Sequence, residues 1–386
     1  MRPLHILILS AILFAGCKKR FSETAPCNGE AYSHPKAQTY QALLDHYVEK
    51  GMPGIILRIE DDQGIWAGSA GKADISRNKS MQVCHVSKAA SLTKTYMATL
   101  AFLLADEGRL DLEALAKDYL PREVVDNIPN IEQVTIRQLM NHQTGIFDII
   151  TDTEFYLHVL NQPPRKHSAM DLIKFVYNKP ANFTPGASAQ YSNTNTLLLS
   201  MAIDKATGQS HASLLREKIL QPYGLSETYY YWHDAIPNNT AQGYFDLYNN
   251  NTLMNLSDYD VGTGHGYNGI YATASDLHKF LLLLQKDKAI LSHESLEEMN
   301  TFHPNEDRER YHGAGVMKDF IDRPAEEQGI GHRGRDLAYS ADLYYFPAKG
   351  KSFSLLVNYG TDAASNLRPV YMEFRDKVVD ELMKPY

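Results

Sequence analysis

Apolar positions near the start of the chain repeat first at helical spacing and then at strand spacing. The helical pattern covers residues 36–50 and ends at Gly51 and Pro53. Two apolar runs follow, GIILRI at 54–59 and IWAGSA at 65–70, and a short polar turn separates them. Runs of this length around such a turn predict a β-hairpin.

The middle of the chain has mostly helical periodicity. Apolar side chains cover most of the circumference of a predicted helix over 91–107, which is typical of a buried helix. Helical patterns continue to about residue 290, with polar loops near 161–167 and 237–265. We expect the second loop to be mobile surface because it is polar and carries three consecutive asparagines.

Strand patterns return near the end of the chain, at 339–345 and 353–358, and a last helical pattern covers 367–383. The order of helix, strands, helical middle, strands and helix predicts that both ends of the chain share one sheet. The sequence therefore predicts an α+β fold, in which an antiparallel sheet is flanked by helices and carries a mostly helical insert.

An apolar stretch at the N-terminus has the length of an export signal rather than of a membrane span. It follows Arg2 and ends in FAGC at 14–17. This ending resembles the lipobox of bacterial lipoproteins, although Phe14 stands where leucine is usual. The resemblance implies a signal peptide over 1–16 and lipidation of Cys17; the alternative is an ordinary secretion signal with an incidental cysteine. We expect an exported protein, periplasmic or at the cell surface, that meets the membrane only through this lipid anchor.

The residues after the signal, 17–35, are polar without periodicity, and they predict a flexible tether before one domain over 36–386. Cys27 in the tether and Cys84 in the domain are an even pair in an exported chain, where disulfides can form. They either join the tether to the domain or remain two separate buried thiols.

Charge and composition exclude several classes of function. The chain carries 38 lysines and arginines against 46 aspartates and glutamates, a net charge of −8, with no basic block beyond 18–20. Nucleic-acid binding needs clustered cations, so it is not expected. Fifteen histidines occur without an H-E-x-x-H motif, and no cysteines stand at zinc spacing, so we predict no metal or other cofactor. The G-x-S-x-G motif of ordinary α/β-hydrolases is also absent from the sequence.

The motif S-x-x-K occurs four times, and only the copy at 91–94 opens a long buried helix. There Lys94 lies one turn from Ser91 on the same helix face and can reach its hydroxyl. The positive end of the helix can stabilise an oxyanion beside Ser91, and it favours a neutral lysine that acts as a base. Taken alone, such a pair is more often a helix cap beside a solvated lysine.

Further short motifs follow along the chain, and each is weak alone. They are LMNHQTGI at 139–146, FTPG at 183–186, YSN at 191–193, NGIYATASDL at 268–277 and HRG at 332–334. Together with the S-x-x-K motif they resemble the serine β-lactamase and penicillin-binding protein superfamily, nearest its class C β-lactamase and D-alanyl-D-alanine carboxypeptidase branch. The resemblance covers nearly all of 36–386 and implies a β-lactamase-like fold, in which the stretches at 139 and 268 are expected to be structural.

The resemblance also implies roles for individual residues. Ser91 is the nucleophile that forms an acyl-enzyme, and Lys94 helps to deprotonate it. Tyr191 relays protons to the leaving group and activates the water that removes the acyl group. Asn193 donates and accepts hydrogen bonds with a substrate amide.

A second group of implied substrate-binding residues lies near the C-terminal end. His332 and Gly334 belong to a strand that borders the acyl site, and the backbone N–H of Arg335 completes the oxyanion hole with that of the nucleophile. The family usually has threonine where this chain has Arg333. This arginine either pairs with an acid such as Asp336 over the mouth of the site or binds a substrate carboxylate. We favour the first case, which predicts poor turnover of β-lactams and better turnover of neutral esters or peptides.

We therefore expect an exported, lipid-anchored serine hydrolase that acts through a Ser91 acyl-enzyme on a D-amino-acid peptide, a β-lactam or an ester. The sequence does not choose between these small-molecule and peptide substrates, because the superfamily uses one catalytic set on many of them. The alternative is a penicillin-binding protein or sensor that is acylated once and does not hydrolyse its ligand.

Overall fold

The computed structural model describes residues 23–29, 32–161, 166–259, 261, 264–304, 310–361 and 365–385. The expected signal peptide over 1–16 and the expected lipidation site Cys17 lie outside these residues, so both stay predictions. Within the described part of the chain, no helix has the length and apolar character needed to cross a membrane.

The strands lie mainly at the two ends of the chain. In chain order they are β1 (Gly54–Asp61), β2 (Gly64–Asp74), β3 (Lys79–Ser80), β4 (Ser87–Ala90), β5 (Thr228–Tyr230), β6 (Tyr244–Phe245), β7 (Met254–Asn255), β8 (Ile270–Ala272), β9 (His303–Pro304), β10 (Tyr311–His312), β11 (Met317–Asp319), β12 (Gly329–Arg335), β13 (Ser340–Phe346) and β14 (Lys351–Val357). Among the described residues, nine strands form one antiparallel sheet in the order β3-β2-β1-β14-β13-β12-β11-β10-β9. Ile56 of β1 pairs with Leu356 of β14, so the two ends of the chain share this sheet, as predicted.

Helices cover both faces of the sheet and form most of the insert. They are α1 (Ala37–Glu49), α2 (Thr93–Asp106), α3 (Arg122–Asn127), α4 (Ile136–Met140), α5 (Thr153–Asn161), α6 (Ala169–Ile173), α7 (Asn193–Thr207), α8 (His211–Leu215), α9 (Ala274–Leu281), α10 (His293–Met299) and α11 (Arg368–Met383). Single turns of 3₁₀ or π helix lie at Ala116–Asp118, Ile149–Thr151, Lys174–Val176, Arg216–Leu220, Leu282–Lys286 and Ala325–Glu327.

Alternation of apolar side chains gives the sheet two buried faces. In β1, Ile55 and Leu57 join the core beneath α1 and α11, whereas Ile56 joins the core of the helical insert. Successive residues of a strand point to opposite faces, so a run that is apolar at every position is buried on both sides. The predicted hairpin, first helix, buried helix and closing helix are all present, and the α+β, β-lactamase-like arrangement is confirmed.

One sequence-based expectation about the fold is wrong, and one small sheet was not predicted. The segment expected to be mobile surface contains the paired strands β6 and β7, and Tyr244 and Phe245 are buried against the core that includes α1 and α11. Burial of these aromatic rings outweighs the polar composition around them. The small sheet β4-β8-β5 was not predicted, because strands of three or four residues are too short to show alternation.

The described part of the expected tether is fastened to the domain. Thr24 Oγ1 donates to the Thr240 carbonyl at 2.8 Å, and the Ala25 amide donates to a backbone carbonyl in the same loop. Cys27 and Cys84 form a disulfide, which decides between the two alternatives that the sequence left open. From residue 23 to residue 29 the segment is therefore held against the domain, contrary to the expected flexibility.

Candidate active site

Ser91 lies in a sharp turn between strand β4 and helix α2, which begins two residues later at Thr93. Ala90 ends the strand with a φ of +50°, a left-handed conformation that is uncommon outside glycine. The Thr93 hydroxyl donates to the Ala90 carbonyl at 2.7 Å and accepts from the Ile270 amide at 3.0 Å. These bonds hold the turn and place Ser91 at the N-terminal end of the buried helix.

The Lys94 amine is buried and surrounded by three acceptors. Its Nζ lies 3.1 Å from Ser91 Oγ, 2.7 Å from Asn193 Oδ1 and 2.7 Å from the carbonyl oxygen of Tyr267. The whole residue is only 1% exposed. A lysine Nζ offers at most three hydrogens, so these acceptors fix its direction toward Ser91.

Asn193 joins Lys94 to a buried acid that the sequence did not single out. Its Nδ2 donates to the two carboxylate oxygens of Asp148 at 3.2 and 3.1 Å, and its backbone N–H donates to the same carboxylate at 2.9 Å. Burial raises the pKa of Asp148 to about 6, against the opposing effect of these hydrogen bonds and of the Lys94 charge. Both polar ends of Asn193 are engaged inside the protein, so the predicted contact with a substrate amide requires it to exchange a partner.

The Tyr191 ring, two residues before α7, lies among cationic and imidazole groups. Lys94 Nζ is 4.8 Å from the ring centroid. The ring centroids of His142, His312 and His332 are 4.6, 5.7 and 6.1 Å away, respectively. Burial, together with the Lys94 charge and the neighbouring imidazoles, holds the pKa of both His142 and His332 well below the usual range. These two histidines are therefore neutral near pH 7.

His332, Arg333 and Gly334 lie within β12. Gly334 packs directly on β4, since a Cβ built there would lie 2.1 Å from the Ala89 carbonyl oxygen. Only glycine fits so close an approach. The contact brings β12 beside the turn that carries Ser91, which is where the resemblance placed this strand.

The two arginines of β12 have different surroundings. Arg335 directs its guanidinium to the Asp342 carboxylate, at 3.0 and 3.2 Å, so its side chain is engaged inside the protein. Arg333 is half-buried and lines the cleft beside Ser91. The favoured pairing of Arg333 with Asp336 is wrong, because the Asp336 carboxylate accepts from Lys88 Nζ at 2.5 Å instead.

A cleft of about 160 Å³ opens over these residues, with Ser91, Tyr191 and Asn193 in its wall. Among the described lining residues, Asp336 is the one acid, and its charge is matched by Lys88. The arginines of the lining are Arg310, Arg333, Arg335 and Arg368. Asp342 matches the charge of Arg335, and the half-buried Arg333 places a positive charge in the wall of the cleft, which favours an anionic ligand.

Three residues of the site were missed by the sequence analysis. His142 lies in the stretch 139–146, Asp148 follows that stretch, and Tyr267 immediately precedes the stretch 268–277. Both stretches were interpreted as structural, yet residues in or beside them touch Tyr191, Asn193 and Lys94. Across the described ranges, no group of three or more His, Cys, Asp or Glu side chains is arranged to hold a metal ion.

Comparison with known families places the chain in a class that fits this geometry. A family profile described as Beta-lactamase matches residues 40–372. The chain therefore belongs to the beta-lactamase family, within the wider superfamily of serine β-lactamases and penicillin-binding proteins.

Curated relatives are similar over part of their length. Penicillin-binding protein 4* of Bacillus subtilis (strain 168) is 27% identical over 273 residues, which cover 66% of this chain and 57% of the relative. Beta-lactamase-like protein 2 of Dictyostelium discoideum is 24% identical over 291 residues, which cover 72% of this chain and 50% of the relative. The chain thus spans about half the length of these relatives.

Solved structures resemble the chain over nearly their whole length. A D-stereospecific amidohydrolase from Streptomyces sp. superposes with a TM-score of 0.73 and 26% identity, covering 84% of this chain and 94% of the other. D-amino acid amidase from Ochrobactrum anthropi SV3 superposes with a TM-score of 0.78 and 23% identity, covering 89% and 98%, and shows the shared fold.

Proposed function

We propose that this protein is a serine hydrolase that is acylated at Ser91 by an amide or ester and is then released by water. The observation that carries the proposal is the 3.1 Å contact between Lys94 Nζ and Ser91 Oγ in the wall of a cleft. A buried lysine that two further acceptors hold in place is a general base within reach of the nucleophile. Membership of the beta-lactamase family supports this chemistry.

Each proton in the proposed reaction has a donor and an acceptor. In its neutral form Lys94 keeps two hydrogens on Asn193 Oδ1 and the Tyr267 carbonyl, and its lone pair takes the hydroxyl proton. Ser91 Oγ then bonds to the substrate carbonyl carbon, and the carbonyl oxygen becomes an oxyanion. The backbone N–H groups of Ser91 and Arg335 stabilise that charge. Tyr191 gives its phenol proton to the leaving amine or alkoxide as the bond to carbon breaks, and it is left as a phenolate. Water then attacks the acyl carbon and gives a proton to this phenolate, and the Ser91 oxygen leaves with the proton that Lys94 took in the first step.

We further propose that the substrate carries a carboxylate near the bond that is cleaved, as a D-amino-acid peptide does at its C-terminus. Arg333 lines the same cleft as Ser91, and a guanidinium binds a carboxylate with two parallel hydrogen bonds. The likeness to a D-stereospecific amidohydrolase supports a substrate with D-configuration. This proposal replaces the expectation of a neutral substrate, which depended on a pair between Arg333 and Asp336.

The exported, lipid-anchored location also remains a proposal. The Cys27–Cys84 disulfide supports export, because such bonds persist in oxidising compartments. We expect Cys17→Ser to move the protein from the membrane fraction to the soluble fraction of expressing cells. Retention of the variant in the membrane fraction would contradict the lipid anchor.

The proposed function is tested with substrates that differ in charge and in the bond cleaved. We expect hydrolysis of a peptide that ends in D-Ala-D-Ala and of a short ester that carries a carboxylate, with slower turnover of the matched neutral ester. Intact-protein mass spectrometry should show a transient adduct that Ser91→Ala lacks. An adduct that forms with a cephalosporin and never decays would favour the alternative, a penicillin-binding protein that is acylated once.

A further inference from the structure

A buried ion pair lies beside the candidate active site and has no part in the proton transfers described above. Lys88 Nζ is 2.5 Å from Asp336 Oδ2, and the two side chains are 3% and 2% exposed. Asn268 Nδ2 donates to the same carboxylate oxygen at 2.9 Å, and the Leu337 amide donates to the other oxygen at 2.5 Å. A buried ion pair adds little net stability compared with apolar side chains of the same volume, so stability alone does not account for it.

Lys88, Asp336 and Asn268 form a cluster, and each lies close in the sequence to a group that the proposed mechanism uses. Lys88 lies on β4, three residues before Ser91. Asp336 directly follows Arg335, whose backbone N–H is the second proposed oxyanion donor. Asn268 directly follows Tyr267, the residue whose carbonyl accepts from Lys94 at 2.7 Å. The carboxylate of Asp336 is thus the common point of three chain segments that meet at the site.

The backbone by itself does not fix the two oxyanion donors relative to each other. Ser91 follows β4 of the three-stranded sheet, whereas Arg335 lies on β12 of the nine-stranded sheet, so no ladder of hydrogen bonds joins their strands. The register of β4 against β8 also shifts between Lys88 and Ala90. The contact of Gly334 with the Ala89 carbonyl sets how closely the two strands approach, and side-chain contacts are left to set how they are aligned.

We propose that Lys88, Asp336 and Asn268 are positioning residues, which hold the backbone N–H groups of Ser91 and Arg335 at the separation that an oxyanion requires. The role rests on the proposed function, since it needs acylation at Ser91. The cluster touches two of the strands and the loop that carries Tyr267, so it also sets the position of that loop relative to the nucleophile. The proposal predicts an effect on the transition state and little effect on ground-state binding.

The decisive variant removes both charges and keeps the shape of the pair. In Lys88→Met with Asp336→Asn, the amide oxygen still accepts from the Leu337 amide, and no unpaired charge remains buried. With p-nitrophenyl acetate as the probe, we expect kcat for the acyl-transfer reaction to fall roughly 10- to 100-fold with KM within about twofold of the parent, because an oxyanion donor is worth about 10²–10³ in kcat. Affinity for phenylboronic acid, which forms a tetrahedral adduct with a serine, should fall in parallel.

A second lysine–carboxylate pair, which is partly exposed, provides the control. Lys286 Nζ lies 2.7 Å from Glu60 Oε1 and joins two other elements away from the cleft. Lys286→Met with Glu60→Gln should leave kcat and boronate affinity unchanged. Unchanged kcat in the Lys88 and Asp336 double variant, with the fold intact by circular dichroism, overturns the positioning role.

A third variant tests the positioning role if the double variant does not fold. Asn268→Ala keeps the ion pair and removes two hydrogen bonds, one to the Asp336 carboxylate and one from the Gly269 amide. We expect kcat to fall about fivefold or more with KM unchanged. Parental kcat in this variant overturns the proposal. Labelling of the parent by a fluorophosphonate probe, absent in Ser91→Ala, reports on the nucleophile separately. A parent that is not labelled overturns the proposed function and the positioning role with it.

Discussion

Asn193 accepts a hydrogen bond from Lys94 Nζ at 2.7 Å and so fixes the direction of the amine toward Ser91. The amide nitrogen of Asn193 donates in turn to the buried Asp148 carboxylate. The orientation of the proposed base therefore depends on an acid that does not touch it directly. An acid of this kind can link the protonation state of the interior to the rate of acylation.

We predict that the acylation rate falls as the pH drops through about 6. Burial raises the pKa of Asp148 to about 6, so below that pH the carboxyl gains a proton and holds Asn193 less firmly. Asp148→Asn should lower kcat/KM at pH 7 about 10-fold or more and remove this limb of the pH profile. Stopped-flow measurement of the acylation burst between pH 5 and 8 checks both the lower rate of Asp148→Asn at pH 7 and the loss of the limb near pH 6.

Asp152 provides the control for this pH profile. It is a nearby acid that pairs with Lys179 at 2.6 Å and does not contact Asn193. Asp152→Asn should keep the limb near pH 6. A limb that persists in Asp148→Asn would show that another group is responsible.

We predict that Tyr191→Phe keeps the fold and lowers the acylation rate by about 10² or more, in line with the usual size of general acid–base effects. The substitution preserves the ring that packs against His142 and removes only the hydroxyl, which we propose passes a proton to the leaving group. Burst kinetics with an ester and an amide substrate measure the effect. Tyr223→Phe, which removes a hydroxyl bound to a surface carbonyl, serves as the control. Parental acylation in Tyr191→Phe would mean that a different group protonates the leaving group.

The sequence predicted the fold of this protein better than the contacts within its candidate active site. Long periodic segments such as β1 and α11 were found because apolar spacing over many residues reflects which faces are buried. Ser91 and Lys94 were found because their motif opens a long apolar helical pattern and, together with the other short motifs, resembles the superfamily. These are local relations, and a single sequence contains them.

The partners of these residues could not be found in the same way. Asp148 and Lys94 are 54 positions apart, and Lys88 and Asp336 are 248 apart, so no local pattern connects them. Arg333 was expected to pair with an acid such as Asp336 because, in the family that the sequence resembles, this position faces a cramped acyl site. A strand turns neighbouring residues to different faces, and Asp336 meets Lys88 across the boundary between two sheets.

We predict that Arg333→Thr raises KM for carboxylate-bearing substrates and leaves the matched neutral ester nearly unchanged. A hydrogen bond to a charged group contributes about 1.5–3 kcal/mol, which corresponds to roughly a 10- to 100-fold change in binding. Parallel assays on a D-Ala-D-Ala peptide, its C-terminal amide and the neutral ester measure the difference. A gain in cephalosporin turnover with no loss on the peptide would show that Arg333 obstructs the cleft rather than binding a carboxylate.

We predict that the free energy of unfolding decreases as the pH falls from about 6.5 toward 4, and that His278 contributes a measurable part. Burial, with the Arg58 charge, lowers the pKa of His278 to about 3. Between that value and the usual histidine pKa of about 6.5, the unfolded chain binds a proton that the folded protein does not, so acid favours unfolding. At pH 4.5 this difference in proton binding lowers the free energy of unfolding by about 2.7 kcal/mol, because about two pH units contribute 1.36 kcal/mol each. The contribution of His278 to stability is fully present above the pKa that this histidine has in the unfolded chain, and it is lost as the pH falls below that value.

Urea unfolding of the parent and of His278→Gln at pH 7 and at pH 4.5 tests this assignment. His278 accepts from Arg58 Nε at 3.1 Å and contacts Ser352 Oγ at 2.7 Å, so the variant loses some stability at both pH values. The decisive quantity is the difference between the two, which should shrink by about 2–3 kcal/mol in His278→Gln. His293→Gln, at a side chain that is 75% exposed, should keep the parental difference. An equal pH dependence in the parent and in His278→Gln would assign the acid sensitivity to other groups, such as the buried His142 and His332.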